Sequence, residues 1–156
     1  MAKTKTKVEE PQLDAAVVDS QITDAVTQAP PMSELDQLYA ERTGNVTIQV
    51  SPYDLKYLKN TLIQKVEWKG ANEAYLYLMA NLYLTGALEE RDHRSTERFS
   101  ADMPASVLES INFFLGRVTG KGEESAQRIF AMSMMLRPAI EKIKSLDEKI
   151  QALTAK

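Results

Sequence analysis

His93 is the chain's single histidine, and the chain has no cysteine. In a helical 89–97 segment, Glu89, His93 and Glu97 would share one face at i, i+4 and i+8 and offer half of a metal site. Transition-metal sites ordinarily need more than one strong nitrogen or sulfur ligand. The sequence supplies no other, so we expect no metal site and read residues 89–99 as a solvated connector of mixed charge. Without a second histidine or a thiolate, acid–base chemistry would rest on carboxylates or lysine. No carboxylate pair stands in surroundings that would perturb it, and no nucleophile–base spacing appears. We therefore expect no catalytic residue, no cofactor site and no small-molecule substrate.

The run from Gly116 through Gly120-Lys121-Gly122 has the composition of a phosphate loop but not its spacing. Three residues instead of four separate the first glycine from the Gly-Lys pair, and glycine stands where the hydroxyl residue that holds magnesium should be. The segment before it is helix-like, so a turn between helices is the better account. Lys69 and Lys121 each precede a helix start, where bare N–H groups attract anions. Glu123 and Glu124 oppose that use at the second site.

The elements that hold these residues are mainly helical. Of the chain's 156 residues, 44% are hydrophobic, and the net charge is −3. That suffices for a core and gives no global positive field for nucleic acid. The N-terminus has a basic start with no apolar stretch behind it, so we expect no signal peptide. The longest uncharged run, 74–88, is too short and too often interrupted by polar residues for a spanning helix, which needs about 20 apolar residues. We expect no membrane association and a cytoplasmic location.

Residues 1–32 contain no aromatic residue and have too little apolar area to offset their ordering entropy. They read as a flexible N-terminal tail, in which Ala15, Val18, Ile22 and Val26 would share one helical face suited to a partner. A helical domain then spans 33–156. Ser33 and Asp36 form a capping box for a short helix whose Leu35, Leu38 and Tyr39 face inward. Residues 46–50 alternate as one short half-buried strand. Its partner is unmarked: a segment near Phe99, the stretch around Val66–Lys69, or another chain.

Ser51 and Pro52 open the next helix, with Leu55, Leu58, Leu62 and Val66 as its stripe. After Gly70, a helix from about Asn72 to Glu90 is apolar nearly all round, which places it at the centre of a bundle, with Tyr75, Tyr77 and Tyr83 lining the core. Pro104 restarts the pattern with Val107 or Leu108, Ile111, Phe114, Leu115 and Val118. A last helix carries Ile129, Met132 and Leu136, with Met134 and Met135 also expected in the core. Pro138 should kink or interrupt it. Beyond it, Ile143, Leu146, Ile150 and Leu153 form a seam that extends the bundle or pairs two copies, in a helix running to 154.

At an offset of 52 positions, Pro52/Pro104, Val66/Val118, Lys69/Lys121, Gly70/Gly122 and Ala74/Ala126 coincide at structural punctuation. We read residues 51–90 and 103–137 as a duplicated helix–KG turn–helix unit, the two hairpins burying each other's faces. The strand at Val46–Val50, then Ser51-Pro52, Val66, Lys69-Gly70 and Ala74, resembles small helical proteins encoded in tailed-bacteriophage genomes. Pro104, Val118, Lys121-Gly122 and Ala126 repeat that pattern without the strand. The resemblance implies a phage particle or infected cytoplasm as the setting.

The expected function is a non-enzymatic helical protein-interaction or structural protein, oligomeric or docked on a larger assembly. Its candidate partner-binding residues are the tail stripe, Trp68 and the 143–153 seam. The alternative is a small regulatory nucleic-acid-binding protein using Arg91, Arg94, Arg98, Arg117, Lys121 and Arg128.

Overall fold

The computed structural model describes residues 31–155. Five helices and two strands follow in the order α1 (Glu34–Thr43), β1 (Asn45–Val50), α2 (Pro52–Lys65), α3 (Gly70–Leu88), β2 (Phe99–Pro104), α4 (Ala105–Leu115) and α5 (Glu123–Thr154). The tail stripe of Ala15, Val18, Ile22 and Val26 lies outside the described residues.

Ser33 and Ser51 start α1 and α2 in the same way. Each hydroxyl accepts the backbone N–H of the aspartate three residues on, Asp36 or Asp54, and donates to that aspartate's carboxylate. One orphan N–H of each helix is thereby satisfied.

β1 alternates as expected, with Val46, Ile48 and Val50 buried and Thr47 and Gln49 exposed. Its partner is the segment beginning at Phe99, so the described residues form two strands where the alternation marked one. β2 pairs antiparallel with β1 from Asn45↔Pro104 to Val50↔Phe99. On the outer face Thr47 donates to Asp102 at 2.5 Å and Gln49 to Ser100 at 2.6 Å. The inner face presents Val46, Ile48, Val50, Ala101 and Met103 to the helices.

The core joins that sheet face to Leu55, Leu58 and Leu62 of α2, Ala80, Leu84 and Leu88 of α3, Leu108, Ile111 and Phe114 of α4, and Met132, Leu136 and Ile143 of α5. α2 packs on α3, α3 on α4 and α4 on α5, while α1 lies along α5. Arg42 of α1 clamps two further helices, with Nη2 2.8 Å from Glu109 of α4 and Nε 2.6 Å from Asp147 of α5. The hydrogen bond to Asp147, then that to Glu109, raises the Arg42 pKa against the opposing effect of burial.

The lysine–glycine corners are real turns. Gly70 has φ 72° and Gly122 φ 87°, the two positive-φ glycines among the described residues. A side chain at either position would be strained in that region.

Four expectations are corrected here. Pro138 does not interrupt its helix: α5 runs unbroken for 32 residues with Pro138 inside it. Leu136, Ala139 and Ile140 are buried on either side of the proline, and their packing offsets a loss of about 3 kcal/mol from the missing hydrogen bond and ring clash. Tyr39 of α1 faces solvent, and Met134 of α5 is 44% exposed. The fourth correction is α3. It is not central: it buries Ala80, Leu84 and Leu88 against its neighbours and turns the opposite face to water.

Candidate interaction surface

The exposed face of α3 follows from its composition. Between Glu73 and Glu89 the helix has no charged residue, so both of its faces are apolar. The helices packed on α3 cover only one of them. Tyr75, Leu78 and Leu82 are left 62%, 62% and 63% exposed. Single exposed leucines are ordinary, but three large side chains in line on one helix are not. A groove of about 540 Å³ continues the face from Leu82, Tyr83 and Gly86 to Phe99 and Ala101 of β2.

Both ends of α3 are polar. At its start the Lys69 backbone N–H donates to Glu73 at 2.7 Å, and Arg117 pairs with the same carboxylate oxygen at 2.8 Å. The Arg117 hydrogen bond, then that of the Lys69 N–H, holds the Glu73 carboxyl below its ordinary range. At the far end Glu89 caps the helix, and Glu90 takes φ 61°, the positive-φ non-glycine residue of the described chain.

A second surface gathers cations and aromatic rings where α2, the 89–98 connector and α5 meet. Arg128 of α5 donates to the Tyr53 hydroxyl at 3.0 Å and lies 5.1 Å from the Tyr57 ring centroid. The Tyr53 hydrogen bond leads the causes that raise the Arg128 pKa. Tyr53, Lys56, Tyr57, His93 and Arg94 line one shallow groove; Tyr57, Lys65, Lys121 and Arg128 line the next together with Glu123 and Glu124, so its charge is mixed.

The residues singled out in the sequence fall in several places. Residues 89–98 are not helical, so Glu89, His93 and Glu97 do not share a helix face, and His93 Nε2 lies 3.2 Å from the Leu88 carbonyl. Among the described residues no group of three His, Cys, Asp or Glu side chains is placed to hold a metal ion. Gly116 to Gly122 joins the end of α4 to the start of α5, as a turn between helices should.

Trp68 stands 52% exposed in the corner before α3. Ile143, Leu146 and Ile150 are buried by this chain itself, with Leu153 half-buried, as in the first of the two uses open to that seam, an extension of the bundle. Tyr77 packs edge-on against Phe114 as a core tyrosine, whereas Tyr75 is at the surface. Of the six basic residues, Arg117 is engaged by Glu73, Arg128 by Glu124 and Tyr53, and Arg91 stacks on Phe99 with its guanidinium 3.6 Å from the ring centroid.

Sequence reasoning missed the α3 face, although the signal was present. Within the uncharged run, Ala71, Tyr75, Leu78, Leu82 and Thr85 recur at four-three-four-three spacing, and all five are exposed. Fold and surface together define a mainly helical protein with a two-stranded antiparallel sheet and an uncovered apolar helix face. No helix among the described residues is long and apolar enough to cross a membrane. No protein-family model matches the chain, and no curated protein or solved structure does.

Proposed function

We propose that the protein is a non-enzymatic helical interaction or structural protein whose working surface is the outer face of α3. The observation that carries this is the alignment of Tyr75, Leu78 and Leu82, each more than 60% exposed. Polar residues there would leave this chain's own packing intact, so their apolar character serves a contact outside it. Catalysis has less support. Of the four groups with a shifted pKa among the described residues, Glu41, Arg42 and Glu73 belong to ion pairs, and Arg128 is held as a fixed cation. Neither arrangement is an acid or base poised for proton transfer.

The same proposal takes β1–α2–α3 and β2–α4–α5 as copies of one strand–helix–corner–helix unit. Equivalent positive-φ glycines at 70 and 122 support it, as does a strand before each first helix. The setting proposed is a tailed-phage particle or the infected cytoplasm, with self-association or docking on a larger assembly as the mode.

The test is isolation from the native source followed by mass measurement of the complex. The unaltered protein should be found in an assembly. A Leu78→Lys, Leu82→Lys double variant should have the same helical circular dichroism and run as a lone chain. A protein that is monomeric and absent from every complex with or without the substitutions overturns the proposal.

The second reading, a small nucleic-acid binder, is favoured by the juxtaposition of Tyr53 and Tyr57 with Arg94 and Arg128. Rings beside cations are what single strands stack on. Binding of this kind is strongest at low salt, so a gel shift at low ionic strength with no retarded band removes it.

A further inference from the structure

We infer that the α3 face is occupied by α3 of a second copy, the two helices running antiparallel. This rests on the reading of that face as an interaction surface and adds the identity of the partner.

The spacing is the first ground. Ala71, Tyr75, Leu78, Leu82 and Thr85 occupy the seam positions of a helix pair, along about 20 Å of helix. The positions that flank such a seam and lie outside this chain's own core are Asn72, Ala74, Met79, Asn81 and Gly86, none of them charged. A surface that meets its own copy must not repel itself, and this one contains nothing to do so. Gly86 leaves open space beyond its backbone, with no atom within 4 Å of where a Cβ would stand. A neighbouring helix can therefore approach closely there.

The ends of the helix fix the direction. Exposed Lys69 precedes α3, and exposed Glu89 and Glu90 follow it. Parallel pairing would bring Glu89 against Glu89. Antiparallel pairing with Leu78 opposite Leu82 sets Gly70 and Ala71, the positive helix start of one copy, level with Glu90 and Glu89 of the other; Lys69 stands one residue beyond, beside Glu90 and level with Arg91, whose guanidinium is turned onto Phe99.

Within a single chain these acids are badly placed. They stand at the negative end of their own helix dipole, and Glu90 adopts the left-handed region that glycine or asparagine prefers. Two broken local rules at one helix end point to a demand beyond the chain's own stability. An antiparallel second copy meets that demand, because the same charges then face a helix N-terminus and a lysine.

One helix face of this length offers on the order of a few hundred Å², short of the roughly 800 Å² per partner of a standing complex. The pair should therefore be reversible and respond to concentration.

The natural absence of cysteine makes the test direct. In the full chain, Leu78→Cys mixed with Leu82→Cys should form a mixed disulfide dimer under mild oxidation, and Ala71→Cys alone should not. Lys69→Glu should weaken association roughly fivefold, and adding Glu89→Lys should restore it. Self-cross-linking of Ala71→Cys would show a parallel pair and overturn the inference. So would a chain that still sediments as a monomer at about 1 mM, the concentration at which a contact of about 4 kcal/mol is half-formed.

Maleimide labelling of Leu78→Cys separates the two levels of failure. A reactive thiol on a strictly monomeric chain keeps the exposed face and removes the second copy. A thiol that resists labelling at every dilution removes the exposed face itself.

Discussion

Glu90 has φ 61° at the end of α3, where an L-residue pays about 1–2 kcal/mol for the clash of its Cβ with the following carbonyl. Glycine has no Cβ, so Glu90→Gly should raise stability by about 1 kcal/mol, part of the relief being offset by the greater freedom of glycine in the unfolded chain. The check is a urea titration in which the midpoint rises while the slope stays fixed. An unchanged or lower midpoint would mean that the glutamate side chain makes a compensating contact. Asn81, on the same helix, has a buried Oδ1 with no hydrogen-bond partner. A buried unpaired acceptor costs about 1–3 kcal/mol. Asn81→Ala removes that acceptor and adds helix propensity, so it should also stabilise the protein, by about 1 kcal/mol.

At the scale of elements, the caps and the ion pairs set how firmly each helix is held. Ser51 is buried and accepts the Asp54 N–H at 3.1 Å. Ser51→Ala should cost about 1 kcal/mol, typical of losing such a cap, read as a lower thermal midpoint. The Arg117–Glu73 pair joins α4's end to α3's start. Its effect has a defined pH sign, because the Glu73 pKa is lowered from its ordinary 4.5, first by Arg117. A depressed carboxylate contributes stability that is complete above its unfolded pKa and is lost as pH falls through the folded one. Arg117→Met should therefore make the loss of stability below about pH 4.5 shallower while lowering the plateau above it.

These elements differ in how legible they were. The capping boxes, the Leu55–Leu58–Leu62 stripe and the glycine corners could be read because each is fixed by chemistry within a few residues. β2 was only one of several suggested partners, because FSADMP has a small residue, an aspartate and a proline where strands favour branched or aromatic ones. Its pairing is set by β1, which lies far away in sequence. Pro138 was misjudged because tertiary packing on both sides outweighs one lost bond. The α3 face was misplaced for a related reason: an apolar helix announces that it needs cover, not who provides it.

At the scale of the whole molecule, the sheet decides whether the two halves can stand apart. β1 precedes α2 and α3, β2 precedes α4 and α5, and every ladder hydrogen bond of one strand is made to the other. A fragment ending before Phe99 would leave β1 without its partner and uncover Val46, Ile48 and Val50. It would also uncover the faces of α2 and α3 that reach the core. Loss of Phe114 alone, which is fully buried at the centre, should cost about 3–5 kcal/mol as Phe114→Ala, a large share of the 5–15 kcal/mol that holds a domain of this size together. Losing the whole second half exceeds that margin. The fragment 32–98 should therefore show no cooperative thermal transition by circular dichroism, and neither should 99–156. Mixed in equal amounts, they should regain helical signal and a single transition, because β1 and β2 can pair across the break and the core can close around them. Independent melting of either fragment would mean that each strand–helix–corner–helix segment has a sufficient core of its own, and that the sheet joins two finished units instead of completing one.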